Sequence, residues 1–167
     1  MTPAEVGTPE LPLRAVPGAG EGSPRRGDAL VLARSGAFRL LVPLAGVERV
    51  LPAALPALRP ALDGAAHPVV SVQGTLLPVL FAESLLGAAE VRLRPGDQLL
   101  QLRDGARQAL LWVSAVEEVV ACAPLAPPRG ASLELVSGFA DADGPLAVLD
   151  VARAVSLAEA PGAREGA

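Results

Sequence analysis

Lysine and tyrosine are missing altogether from the 167 residues, and cysteine, histidine and tryptophan occur once each. Without lysine, Schiff-base chemistry has no nucleophile. One histidine, His67, and one cysteine, Cys122, leave too few groups for a histidine-based triad or a zinc site. A lone cysteine also excludes an internal disulfide and fits a reducing compartment. Within VVACAPL it reads as a small buried hydrophobe. Three phenylalanines and one tryptophan are too few for a base-stacking platform, and the net charge of −4 comes with no basic stripe for nucleic acid. No apolar run approaches the roughly 18 residues of a membrane-spanning helix. The N-terminus lacks the charged-then-apolar order of a signal peptide, and no apolar segment of the right form follows Arg25-Arg26. The chain reads as cytoplasmic. A phosphate-binding GxxxxGK[ST] loop is absent. Asp141-Ala142-Asp143-Gly144 begins like a calcium loop but lacks the later ligands, so it reads as a hairpin turn. Glu117-Glu118 would point apart on a helix and reads as a solvated face. Trp112, within ALLWVS, reads as packing. No catalytic site emerges, and no metal or cofactor is expected.

What the chain does have is Val, Leu and Ala in short runs between turn signals; hydrophobic residues make up 51% of it. Residues 1–27 hold five prolines and five glycines without periodicity and read as a disordered arm. From Asp28 on, Ala29–Arg34 and Phe38–Pro43 flank Ser35-Gly36-Ala37 and read as a hairpin. Leu44, Val47, Val50 and Leu51 fall at helical spacing, which predicts one or two amphipathic turns. Pro52, Pro56 and Pro60 predict an irregular connection. His67, before Pro68, reads as an extended loop residue. Val69–Val72 and Leu76–Phe81 flank Gln73-Gly74-Thr75 and read as two buried strands around a tight turn. Ala82–Leu86 reads as a helical turn with Gly87 as its C-cap, and a polar linker runs from Ala88 to Gly96.

The second half repeats this order. Gln98–Arg103 and Gln108–Val113 flank Asp104-Gly105, a strong hairpin signal. Val116-Glu117-Glu118-Val119 mirrors Val47-Glu48-Arg49-Val50, and Pro124–Pro128 mirrors the earlier prolines. At 133–150, Val136-Ser137-Gly138 reads as the counterpart of Val72-Gln73-Gly74, and Leu146-Ala147-Val148-Leu149 of Leu77-Pro78-Val79-Leu80. Val151–Val155 closes the fold as a short helix, and the tail from Ser156 to Ala167 reads as flexible. Short strands with frequent turns favour two small barrels sharing a hydrophobic seam, one from each half (roughly 28–90 and 97–155).

Residues 28–155 resemble a CheW-like domain, the coupling module of bacterial chemosensory arrays. The resemblance rests on Phe38–Pro43 followed by Val47-x-x-Val50. It rests also on HPVVSVQGTLLPVLFAESLLG with Gly74, Pro78, Val79 and Leu85, on Val113–Val119, and on the stretch from Gly138 to Asp150. Each piece is weak alone; their order and spacing make the match specific. It implies an all-β fold of two SH3-like five-stranded barrels and no enzymatic activity. It implies a scaffold linking chemoreceptor cytoplasmic tips to the regulatory domain of a CheA-type histidine kinase, with other CheW-like domains as further partners.

Three positions depart from the family pattern. Arg49 stands where a glutamate is usual, Gln73 where an arginine precedes the glycine, and Ser114 where an aspartate is usual. The resemblance makes Val47, Arg49, Val50, Gln73, Gly74, Leu76 and Ser114 the expected partner-binding residues. The simpler reading of Val47, Val50, Val116, Val119, Leu77, Val79 and Leu149 is core, and of Gly74 and Gly138 turn geometry or close approach. The leading expectation is an adaptor that binds receptor and kinase. The alternative is a divergent accessory module that binds one of them and modulates or localises the complex. A ligand-binding or hydrolytic barrel lacks a nucleophile–base set.

Overall fold

The computed structural model describes residues 24–60, 66–88, 90–129 and 134–159. Most of the arm, and the tail beyond Glu159, lie outside that range. The hairpin signals act where expected: β1 (Ala29–Ser35) turns into β2 (Phe38–Pro43), and β7 (Gln98–Asp104) into β8 (Arg107–Val113). Between them run β3 (Val47–Pro52), β4 (Ala57–Pro60), β5 (Ala66–Val72), β6 (Thr75–Phe81) and the short helix α1 (Ala82–Leu85). After β8 come β9 (Ala115–Ala121), β10 (Pro124–Leu125), β11 (Val136–Asp141), β12 (Pro145–Leu149) and α2 (Val151–Glu159).

The strands form two six-stranded sheets, ordered β9-β1-β2-β12-β11-β10 and β3-β7-β8-β6-β5-β4. Position by position the two orders match, so the internal repeat is real. The sheets, however, are not the two halves of the chain. β3 leaves the first hairpin and pairs with β7 of the second, while β9 leaves the second hairpin and pairs with β1 of the first. The halves exchange their hairpins, and one whole sheet is the contiguous segment from Val47 to Val113. The division at about residue 90 is therefore replaced by an insertion. Each sheet also counts six strands instead of five, because the short strands β4 and β10 add themselves at an edge.

The repeat runs at 69 residues, the distance from Leu80 to Leu149, and Val79 and Val148 pair in parallel with the equivalent residues Leu110 and Leu41. Matching Gly138 to Gly74 placed that stretch too early. Gln73 and Gly74 both have positive φ (51° and 83°), which is the two-residue turn between β5 and β6. Gly138 lies inside β11, beside a register shift, opposite Val148. Its constraint is close approach: a Cβ there would come within 2.6 Å of the Pro24 ring. Gly138→Ala is expected to dislodge Pro24 and quicken proteolysis near Arg25-Arg26, with the β11–β12 pairing kept. Unchanged cleavage would show that Pro24 is not held there.

The V-x-x-V segments are strands, not helical turns; only Leu44–Gly46 is helical, as a single 3-10 turn. A bulge explains the spacing. In β3 the register shifts between Val47, opposite Leu102, and Arg49, opposite Gln101, so Val50 ends opposite Leu100. One extra residue lets positions three apart face the same side of a strand, which imitates one turn of helix. β9 does the same: Val116 faces Ala33 and Val119 faces Val31. The proline-rich connection also yields β4, a sheet-edge strand, where proline is tolerated. His67 stands in β5 opposite Arg59, not in a loop. α2 runs four residues beyond Val155 and buries Ala158, so the tail begins later than expected.

Alternation along the strands builds three cores. Leu30, Leu32, Leu41, Cys122, Ala140 and Val148 fill the first sheet's own interior, and Val70, Leu77, Val79, Leu99, Leu110 and Trp112 the second's. Between them lies the seam, drawn from both sheets: Val31, Val42, Leu80, Leu100, Leu111 and Leu149 among others, with α2 packed on it. Trp112 packs on Phe81 at 5.8 Å between ring centroids, and its indole N–H donates to the buried Asp97 carboxylate at 2.8 Å. Burial first, then the nearby charges of Asp141, Asp143 and Glu118, push the Cys122 thiol up. The thiolate is the reactive form, so Cys122 is expected to react with a disulfide reagent at pH 8 about tenfold or more slowly in the native protein than in urea. Equal rates would contradict its burial.

Candidate partner-binding face

β3 positions three of the expected residues. Val47 is half-buried against the seam, while Arg49 and Val50 (42% exposed) stand out at the edge of the sheet. Val50 is thus surface, not core, because the seam ends one strand inside it. Arg49 has no ion pair among the described residues. Its neighbour Glu48 is fully engaged: Arg103 reaches it at 3.0 Å and the Gln101 amide donates to it at 3.1 Å. The repeat carries the same device. Glu117, equivalent to Glu48, is approached by Arg34, equivalent to Arg103, at 3.9 Å and by Arg39 at 3.5 Å.

The β5–β6 hairpin positions three more. Gln73 and Gly74 form its exposed turn, and Leu76 (51% exposed) projects beside it, while its neighbour Leu77 is buried. Leu51 and Ala53, at the end of β3, and Val72, at the hairpin, pack against the same core cluster, which ties the two elements together. No hydrogen bond joins Arg49 to Gln73 among the described residues. Ser114 stands apart. Its hydroxyl accepts the Gly36 N–H at 3.0 Å and its own N–H donates to the Arg34 carbonyl at 2.8 Å. It fastens the turn of β1–β2 to the β8–β9 junction.

The expected residues thus fall on two elements: exposed Arg49 and Val50 on the edge strand β3, and exposed Leu76 beside the Gln73-Gly74 turn. Sequence reasoning missed Gln101, a buried amide in an apolar strand (4% exposed). Its equivalent in the repeat is Leu32, and that comparison was the available signal.

The CheW-like domain profile matches residues 29–159, nearly the whole of the described fold. The chain belongs to the CheW-like domain family. No curated protein matches it by sequence. Among solved structures, this CheW-like domain is similar to the scaffolding protein TtCheW from Thermoanaerobacter tengcongensis. The TM-score is 0.60 at 15% identity, over 74% of this chain and 88% of that one. Family and fold support a chemosensory coupling adaptor in general terms, within a family of scaffolds rather than enzymes. No helix among the described residues is long and apolar enough to cross a membrane.

Proposed function

We propose that this CheW-like protein is a non-enzymatic cytoplasmic adaptor that couples chemoreceptor tips to the regulatory domain of a CheA-type histidine kinase. The observation that carries the reading is the β3 edge. Arg49 and Val50 are both exposed on this edge strand, on its opposite faces, and Arg49 has no ion pair among the described residues. A cation without an ion pair at an edge strand that also exposes apolar surface suits a partner that brings an acidic group and an apolar contact. Exposed Leu76 and the Gln73-Gly74 turn offer a second set of contacts. Such an adaptor transmits signal by holding partners in a defined geometry and shifting their populations.

The accessory reading keeps the fold and one partner. It is favoured by the absence of any bond between Arg49 and Gln73, which leaves both free to select a partner of different charge. Binding to the isolated kinase regulatory domain separates the two. Coupling requires it, whereas an accessory module holding only the receptor lacks it.

A further inference from the structure

Gln101 is the one polar side chain within a run whose neighbours Leu99, Leu100 and Leu102 are at most 1% exposed. Its amide N–H groups are both used, on the Glu48 carboxylate and on the Gln108 side-chain carbonyl. Reversing the amide would set its oxygen against two acceptors, so the network fixes the orientation. The remaining atom, Oε1, is buried and accepts no hydrogen bond from the described residues. A buried acceptor without a donor is destabilising, and the other repeat avoids it with Leu32, 3% exposed at the equivalent place.

The two donated bonds give this polar group a local role that Leu32 cannot have. What it does locally is hold Glu48, the residue at the bulge of β3, onto β7. Arg49 lies directly across the ladder from Gln101, and Val50 follows it. Arg103 grips Glu48 from the exposed side. In the equivalent bulge of β9, the partners of Glu117 among the described residues are its two arginines, and the residue across from Glu118 is Leu32. The two bulges differ in this buried tether.

We infer that Gln101 is a positioning residue: it locks the β3 bulge and thereby sets how Arg49 and Val50 meet a partner. The inference rests on reading β3 as part of the partner face. Proteins sacrifice stability where function needs a particular arrangement.

The test is Gln101→Leu in the full chain, with β9 as an internal control. The β3 amides are expected to exchange with deuterium about tenfold faster while the β9 amides stay unchanged, since a lost local tether lowers local opening free energy only. The melting temperature should hold or rise. Affinity for a CheA-type regulatory domain should fall about tenfold. Glu48→Gln preserves an acceptor for Gln101 and should keep β3 protected. Unchanged β3 exchange would overturn the inference. So would a lower melting temperature with β3 and β9 loosening together, the mark of an ordinary core residue. If the wild-type protein binds neither kinase domain nor receptor tip, the reading of the face fails. The exchange arm then decides by itself whether Gln101 sets the strand.

Discussion

Arg49→Glu is expected to weaken binding to a CheA-type regulatory domain by roughly 10- to 100-fold while leaving unfolding nearly unchanged. The affinity change follows from placing like charge against the acidic partner group inferred above, where misplaced charge costs about 1.4–2.8 kcal/mol or more. Stability is spared because Arg49 is exposed at an edge strand and has no ion pair to lose among the described residues. Salt supplies an internal check. Screening should weaken the wild-type complex and relieve repulsion in the variant. Calorimetric titration at low and high salt, alongside thermal unfolding, makes the comparison. A large fall in melting temperature with unaltered affinity would assign Arg49 to the fold instead.

Leu111→Ala carries the largest expected loss of stability, about 2–5 kcal/mol. Leu111 is fully buried at the centre of the seam, flanked in the sheet by Leu80 and Leu100. Neighbours from the other sheet, Val31 and Val42 among them, belong to the same cluster. A cavity there would be lined by side chains from both sheets, neither of which can collapse alone. Against a typical stability of about 5–15 kcal/mol, the loss is severe. Because the chain crosses between the sheets at β3 and again at β9, both should still melt in one transition. Chemical denaturation followed by tryptophan fluorescence, which reports Trp112 in the second sheet, and by far-ultraviolet dichroism, which reports both, checks this. Separate transitions would show that the hairpin exchange does not bind the sheets into one cooperative unit.

The local signals that could be read from sequence were those fixed by single turns. Asp104-Gly105, Ser35-Gly36-Ala37 and Gln73-Gly74-Thr75 each announced a hairpin, because only a few residues accept the backbone angles a tight turn demands. The repeat was visible because both halves use the same strand order. What escaped depends on distant pairing. Nothing local tells β3 to pair with β7 in place of its own hairpin, so the exchange and the inserted sheet were hidden. The bulges at Glu48 and Glu117 disguised strands as helical turns, since their valines fall three apart. On the candidate face, Arg49 and Leu76 are exposed. Val50 proved to be surface because β3 is an edge. Ser114 proved to be a fastening, since its partner Gly36 lies 78 residues away.

The account turns on whether one chain holds two chemosensory partners. Calorimetric titration of the full chain with the regulatory domain of a CheA kinase from the same organism, and in parallel with a receptor-tip fragment, asks this directly. The coupling reading predicts binding to both at about micromolar affinity, near −8 kcal/mol, with the kinase arm lost in Arg49→Glu. Receptor binding without kinase binding would contradict coupling and leave the accessory role. Binding to neither would contradict the proposed function outright.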